Sequence, residues 1–529
     1  MPPRSASISF DQSPLVGVDS TASVSAANLD SATTSLSLNL SLRAGQQYSF
    51  SFYFASGGPK VTLVDPAGKS TAVTMSKGFS VASSGNYQLR FDASYSLKDT
   101  ANLSNLQINA KSLLPTTSGD TRIDALLTGG TSQWWHSYDA VAVKSAVKVG
   151  SANALTAGSS VTSLTYSFLS SQPKGQTMDG FTPMSDAQKG AVRKAFDYYS
   201  KLINVTFKEV AGEGNINFGT NKQASSAGYA NLPNASGTKD KDYLYLANNA
   251  ATNGDQGVQE GGYGYMTILH EIGHTLGLKH PGNYNAGGGG APAPYLTTAD
   301  DNRQHSIMSY NDNNASRGVT PSSAMLYDIA ALQYLYGANT KASTANNGAF
   351  AMSDTNTLQT LWSTNGTDVI DLTALTSASH VDLNGGSYSD INIKAPATKA
   401  SYSGNQNVAI AYGARINTVK LSSQKGLADT VTLNDAFSTG SFDTIGSFDA
   451  TDDKISLKKS LFGAITAANI EFGTEATKAT SKIVVNRGTG EIFYDADGSG
   501  KKFAAKKVAQ YLALQGRGDI STSNFVAVA

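Results

Sequence analysis

Residues 270–280 read HEIGHTLGLKH, and this stretch decides how the middle of the chain is interpreted. Positions four apart on an α-helix lie on the same face, so His270 and His274 can direct ring nitrogens at one ion. Glu271 follows the first of them and can lie beside that ion. The spacing therefore predicts a helix that carries two metal ligands and a carboxylate base.

The third histidine lies beyond the predicted end of this helix. Gly277 can adopt the positive φ that ends a helix, so the chain can turn and bring His280 back towards the ion. Pro281 then prevents the helix from resuming. Three imidazole ligands leave the fourth tetrahedral position open to water, the arrangement of catalytic zinc. We therefore predict zinc on the three histidines, with Glu271 as general base and then proton donor.

A short HExxH match also occurs by chance in unrelated helices, where the histidines belong to the core and bind no metal. Here the match is longer, and residues 306–310, SIMSY, supply a second element downstream. The extended histidine motif followed by a methionine turn is the mark of the metzincins. The chain resembles that clan, and Pro281 after the third histidine makes it similar to the serralysin-like family of secreted bacterial zinc peptidases. The resemblance implies that Met308 packs beneath the zinc and that Tyr310 stabilises the oxyanion of the tetrahedral intermediate.

The resemblance covers about residues 120–340, and we predict a catalytic domain of the α/β class over residues 119–340, with a mixed sheet and an active-site helix. By similarity, we expect opening strands over 123–127 and 164–168, a substrate-binding edge strand over 227–230 and a closing helix over 325–337. The residues themselves predict a helix capped by Ser185 and Gln188, strands over 205–210 and 243–246, and the metal-binding helix over 265–278.

Composition excludes several classes of function. The chain has 529 residues, more than one ordinary core, so we expect a multidomain protein with three domains. Its formal charge is zero and only 15% of its residues are charged, so no basic field favours nucleic acid as a partner. It contains no cysteine, which removes disulfides and thiolate zinc ligands.

The segment over residues 341–529 is rich in turn-forming residues with short β-branched runs, which predicts a β-rich roll or sandwich. Serralysins carry a calcium-loaded β-roll of tandem glycine-aspartate repeats here. This chain has only degenerate traces of them, at residues 365–368, 385–390 and 426–429. We therefore expect few calcium ions (Ca²⁺) or none. The sequence Asp495-x-Asp497-x-Ser499 could begin a calcium loop, but a simple turn fits it better because no EF-hand glutamate follows.

Residues 1–118 have no counterpart in ordinary serralysins. Alternation over residues 48–54 and 85–91, with a strand and turn over 61–68, predicts a small N-terminal β-sandwich or jelly roll. Such a module could target the enzyme or shield its cleft, and the sequence does not decide between these roles.

Location is inferred from the resemblance. The amino terminus shows no apolar signal segment, and no stretch is long enough to anchor the chain in a membrane. Serralysin-like peptidases leave the cell through a bacterial one-step export machinery (type I secretion) that reads an uncleaved carboxyl-terminal signal. Residues 519–529 resemble such a tail, although an ordinary final strand would look similar. We expect a secreted monomer, extracellular or associated with the cell surface.

These patterns predict a secreted zinc endopeptidase that cleaves internal bonds of protein substrates. The alternative is a surface-layer or adhesive β protein whose peptidase-like domain binds a partner without turnover. A third hypothesis is a processing enzyme with one cognate surface protein. We expect His136, His305 and His380 to be bystanders. If the enzyme is latent, a carboxylate such as Asp120 or cover by the first domain would have to inhibit it.

Overall fold

The computed structural model describes residues 4–9, 33–42, 46–51, 59–74, 77–81, 85–92, 107–112, 118–128, 162–233, 241–286, 288–312, 319–353, 358–393 and 406–529. Within these ranges the chain forms many strands and few helices, which confirms a β-rich, multidomain protein. None of the helices in this described part has the length and apolar character needed to cross a bilayer.

Among the described residues of the first segment, the regular elements are all strands. They are β1 (Arg4–Ser9), β2 (Thr33–Leu42), β3 (Gln46–Ser51), β4 (Lys60–Val64), β5 (Ser70–Ala72), β6 (Phe79–Ser80), β7 (Gly85–Asp92) and β8 (Gln107–Ser112). They form two sheets, in the orders β1-β2-β7-β4-β5 and β6-β3-β8. Phe50 of β3 contacts Phe91 of β7 edge-on, with ring centroids 6.3 Å apart, so aromatic side chains join the two sheets. The prediction of a β-rich first segment is confirmed.

The middle segment contains a mixed five-stranded sheet. Its strands are β9 (Thr162–Phe168), β10 (Val205–Glu209), β11 (Ile216–Asn221), β12 (Gly228–Ala230) and β13 (Asp242–Ala247), in the order β10-β9-β11-β13-β12. The first four positions in that order are parallel, and β12 pairs antiparallel to β13 at the edge. The edge strand predicted over 227–230 is thus present where an extended peptide could pair with it.

Five α-helices are described alongside this sheet, outside the gaps at residues 129–161, 234–240 and 313–318: α1 (Thr121–Asp124), α2 (Asp186–Leu202), α3 (Ala250–Asn253), α4 (Tyr263–Thr275) and α5 (Leu326–Tyr336). Ser185 and Gln188 form the predicted capping box at the start of α2. Helix α4 is the predicted metal-binding helix, although it ends at Thr275 rather than Leu278. The chain turns at Gly277, whose φ of 100° is the positive value expected there.

The strand predicted over residues 123–127 is wrong. Asp120 caps the short helix α1 through the backbone amide of Arg122. Ile123, Leu126 and Leu127 are all buried, and their spacing of three and four residues is helical rather than alternating. Only Leu127 makes an isolated bridge, to Leu278.

In the third segment, the described residues form the remaining strands and one short α-helix. They are β14 (Ala349–Ala351), β15 (Gln359–Leu361), β16 (Val369–Asp371), β17 (His380–Asp382), β18 (Tyr388–Ser389), β19 (Val408–Ile410), β20 (Thr418–Lys420), β21 (Thr430–Thr432), β22 (Asp443–Phe448), β23 (Lys454–Lys458), α6 (Lys459–Phe462), β24 (Ile470–Phe472), β25 (Ile483–Asn486), β26 (Glu491–Tyr494), β27 (Lys506–Ala513) and β28 (Phe525–Val528). They form sheets in the orders β14-β16-β20-β22-β27-β26-β25-β24, β17-β21-β23-β28 and β15-β19-β18.

Six strands of this segment wind as a parallel roll: β16, β17, β20, β21, β22 and β23. The chain passes from β16 to β17, from β20 to β21 and from β22 to β23, each time crossing between the eight-stranded and the four-stranded sheet. Aliphatic residues stack in register inside it: Ile370, Val419 and Ile445 in one sheet, and Val381, Val431 and Ile455 in the other. Burial of these rows stabilises the roll without tandem repeats.

Aspartates at the degenerate repeats bond to backbone amides. Both oxygens of Asp429 accept, from the amides of Ser379 at 2.7 Å and Ser422 at 3.2 Å. Asp453 accepts from the amides of Asp429 and Asp449. Burial raises the pKa of Asp429, and raises that of Asp453 to about 7. These carboxylates therefore fasten turns to one another by hydrogen bonds. Residues 496–499 form the turn that was predicted after Asp495.

The core of the middle segment continues past residue 340. Trp362 is fully buried in it, and its ring nitrogen donates to the backbone oxygen of Asn339 at 3.2 Å. Ala409 and Ala411 also belong to this core. Side chains of the third segment therefore complete the packing around the metal-binding helix.

Candidate metal centre

The three predicted histidine ligands converge on one point. Nε2 of His280 lies 3.1 Å from Nε2 of His274 and 3.2 Å from Nε2 of His270. Four ligands placed tetrahedrally at about 2.0–2.1 Å from zinc are separated from one another by about 3.3 Å. In the described part of the chain this is the one cluster of three or more histidine, cysteine or acidic side chains that could bind a metal ion.

Hydrogen bonds on the other ring nitrogen define the tautomer of each histidine. Nδ1 of His270 lies 2.7 Å from the carbonyl oxygen of Ile307, and Nδ1 of His274 lies 2.7 Å from that of Leu278. A carbonyl only accepts, so both Nδ1 atoms donate and both Nε2 atoms carry lone pairs. Nδ1 of His280 lies 2.8 Å from Oδ1 of Asn285, which also only accepts, so Nε2 of His280 carries a lone pair as well. Three lone pairs facing one another repel unless a cation binds them, so the donor set fits zinc.

Burial keeps these imidazoles neutral. Burial, together with the nearby His280 and Arg303, lowers the pKa of His270 to about 3. Burial also lowers the pKa of His274 well below its ordinary value and lowers that of His280. A neutral imidazole is the form that binds a metal, so proton competition at neutral pH is weak.

Glu271 follows His270 on α4, and both side chains line one cavity. The Glu271 side chain is buried, and Oε2 has no hydrogen-bond partner among the described residues. Burial raises its pKa to about 8. The edge strand passes close to it, because a Cβ on Gly228 would lie 3.0 Å from the Glu271 Cγ. Only glycine lets β12 approach the carboxylate this closely.

Tyr310 lies over the histidines with its ring partly exposed. Its ring centroid is 4.5 Å from that of His280 and 4.9 Å from that of Tyr284, which stacks on it. Burial, and secondarily the charge of Glu271, raise the pKa of Tyr310 to about 12. The hydroxyl therefore keeps its proton at neutral pH and can donate it in a hydrogen bond.

Met308 packs beneath the metal-binding helix. It is fully buried, and a Cβ on Gly273 would lie 2.9 Å from its sulfur, so the helix approaches the methionine turn at a glycine. Asp328 of α5 holds this turn: its carboxylate accepts from the Ser306 hydroxyl at 2.6 Å and from the Ile307 amide at 2.8 Å. The sequence places Asp328 in a helix but gives no sign of this role, since its partners lie about 20 residues earlier.

Lys279 supports the segment that carries the third ligand, a role the sequence did not suggest. It is buried, and its ammonium donates to the carbonyl oxygens of Ala125, His280 and Pro294. Burial lowers its pKa to about 8. These bonds tie the chain around His280 to the residues that follow α1.

Two of the predicted bystander residues, His305 and His380, have their contacts outside the cluster of three histidines. His305 contacts the Tyr388 hydroxyl at 2.6 Å and thus joins the methionine turn to the third segment. His380 lies in β17 beside Asp390, and His136 lies outside the described residues. Asp120 pairs with Arg122 and caps α1, so its carboxylate is engaged away from the metal centre.

Comparison with known proteins agrees with this geometry. No family model matches the chain. The chain is 36% identical over 257 residues to metallopeptidase AprA of Pseudomonas marginalis, covering 43% of this chain and 54% of that protein. It is 34% identical over 270 residues to serralysin of Proteus mirabilis (43% and 53%) and 35% identical over 265 residues to serralysin C of Dickeya chrysanthemi (43% and 52%). The chain thus spans about half the length of these relatives. Over the matched region the chain is therefore similar to metallopeptidases of the serralysin type.

Proposed function

We propose that this protein is a secreted zinc endopeptidase that hydrolyses internal peptide bonds of proteins. The observation that carries the proposal is the convergence of three Nε2 lone pairs, from His270, His274 and His280, beside the buried Glu271. The relatives named metallopeptidase and serralysin support the same reaction class.

The chain's own groups divide the work of hydrolysis. Zinc on the three histidines would polarise the scissile carbonyl and lower the pKa of a water molecule. Glu271 accepts the proton of the attacking water and passes it to the amine that leaves. The Tyr310 hydroxyl donates a hydrogen bond to the oxygen on which negative charge develops. Met308 packs beneath the site and keeps the helix and the methionine turn together.

The edge strand β12 favours cleavage within an extended chain. A substrate can pair with its exposed edge as a further strand, which fixes the peptide backbone along the cleft. Gly228 brings that edge next to Glu271. Pairing through backbone groups leaves the substrate free to continue beyond the cleft in both directions, as an endopeptidase requires.

The test combines metal analysis with cleavage of an unfolded protein. We expect one bound zinc per chain and proteolysis that Glu271→Gln reduces by about 100-fold or more while zinc remains bound. Glu260→Gln is the matched control, because that glutamate is half exposed and pairs with Lys194. A wild type without zinc, or inert with it, would overturn the proposal and favour the non-catalytic surface-layer or adhesive protein. A digest across several proteins separates a general peptidase from a processing enzyme with one substrate.

The three-domain arrangement, the monomeric state and export by the bacterial one-step machinery are part of the proposal. Strand β28 lies at the edge of its sheet, with Val526 and Val528 partly exposed, within the tail that resembles an export signal. Deleting residues 519–529 should retain the protein inside cells that carry such an exporter. Comparing the full chain with one that starts near residue 119 tests whether the first segment shields the cleft.

A further inference from the structure

One cationic side chain lines the cavity beside the metal centre. The cavity has a volume of about 410 Å³ and is bounded by α4, the approach to β12 and the methionine turn. Among the residues described along its wall, Arg303 carries the one positive charge and Glu271 the one carboxylate. A substrate side chain that enters this cavity therefore meets the positive charge of Arg303 at one place and the carboxyl group of Glu271 at another.

Arg303 is held firmly in position. Its backbone amide donates to the carbonyl oxygen of Asn311, and its Nη1 donates to Oδ1 of Asp312. The guanidinium carbon lies 5.7 Å from the centre of the Tyr263 ring. Its side chain is only 16% exposed, and Nε is buried with no hydrogen-bond partner among the described residues. The Nε of this guanidinium is therefore shielded from water and has no protein acceptor in its place.

The position of Arg303 suits a side chain next to the reacting bond. Tyr263 and His270 lie on the same helix, seven residues apart, which is about 10 Å along its axis. Arg303, which contacts the Tyr263 ring, lines the same cavity as His270. A substrate residue with its backbone at the metal centre can extend a side chain along this wall.

Building on the proposed peptidase function, we propose that Arg303 selects substrates with an acidic side chain on a residue that flanks the cleaved bond. A substrate carboxylate in the cavity can accept from the terminal guanidinium nitrogens of Arg303, of which Asp312 contacts Nη1. Sites built to hydrogen-bond a polar group discriminate strongly against an analogue that lacks it, because the protein donor then stays unpaired. Asp312 is 52% exposed, and its described contact with the guanidinium is to Nη1. Asp312 therefore does not use all the guanidinium donors.

The test uses peptides that differ only by glutamate or glutamine at each flanking position. Both ends are capped, so that a terminal carboxylate cannot imitate the side chain. For the wild type we expect kcat/KM to favour glutamate by roughly 10-fold to 100-fold at one position. Arg303→Met should bring that ratio to about one, and Arg303→Lys should retain part of it, since lysine keeps the charge without the fork. Asp312→Asn is the matched control, and it should maintain or raise the ratio.

A second readout does not depend on turnover. Fluorescent glutamate and glutamine peptides are titrated onto the Glu271→Gln variant, with and without Arg303→Met, and their Kd values are compared. Tighter binding of the glutamate peptide that disappears with Arg303→Met supports the proposal even if cleavage fails. The proposal would be overturned if the two peptides had equal kcat/KM with the wild type and equal Kd with Glu271→Gln. It would also be overturned if a preference for glutamate survived Arg303→Met. Absence of cleavage with selective binding contradicts the peptidase function alone.

Discussion

Asp328 offers the sharpest test of how the methionine turn is supported. Its side chain is fully buried, and its carboxylate accepts from Ser306, Ile307 and the amide of Met325. Burial nevertheless outweighs these bonds and raises its pKa from 3.8 to about 6. The folded protein therefore binds this proton more tightly than the unfolded chain does.

The sign of the pH dependence follows from that shift. Between pH 3.8 and about 6 the folded state carries more protons at Asp328 than the unfolded state, so stability falls as pH rises through this window. The pKa difference between the folded and unfolded states corresponds to about 3 kcal/mol of stability in all. About 2 kcal/mol of this contribution to the free energy of unfolding is lost between pH 4 and pH 7. Asp328→Asn cannot titrate. The free energy of unfolding of the wild type minus that of the variant should therefore fall by about 2 kcal/mol over this range.

The assay is urea unfolding of zinc-stripped protein at several pH values, followed by circular dichroism and tryptophan fluorescence. Taking the difference between two proteins cancels the titration of the histidines and of other carboxylates. Asp186→Asn serves as the surface control, because that side chain lies in solvent. A wild-type minus variant difference that stays constant with pH, or that grows as pH rises, would refute the reasoning.

Two further predictions concern metals. Asn285→Ala removes the oxygen that orients the His280 ring, so zinc affinity measured by chelator competition should fall by about 10-fold to 100-fold, and an unchanged affinity would contradict the assigned tautomer. Added calcium should shift the Tm of the third segment very little, because Asp429 and Asp453 already accept backbone amides; a large rise in Tm with calcium, monitored by scanning calorimetry, would show that these carboxylates leave the amides to bind the ion.

Local spacing was enough to predict that His270, His274 and His280 come together, and to predict most of the elements that carry them. The four-residue interval between His270 and His274, the turn at Gly277 and the capping pair Ser185 and Gln188 each depend on neighbours within one or two turns. Such contacts follow from backbone geometry alone. The structure accordingly brings the three predicted histidines together and places the edge strand and closing helix where they were expected.

The contacts that support the site could not be predicted from local spacing. Asp328, Lys279 and Arg303 act on residues distant in sequence, and no period in the chain signals which carbonyl or amide they meet. Burial decides their chemistry, and burial depends on how separate elements pack. The segment over residues 123–127 failed for a related reason: apolar residues alone suit a buried strand or a short helix, and the cap at Asp120 decided between them.

The core that the middle and third segments share has a consequence for the order in which the chain is synthesised. Ribosomes make the histidine motif well before Trp362, Ala409 and Tyr388, which complete the packing around α4 and brace His305 at the methionine turn. A growing chain therefore carries its ligands for some time without the partners that position them. We expect a fragment that ends at residue 340 to cleave far less than the full chain, which would spare the producing cell from its own peptidase while translation is under way.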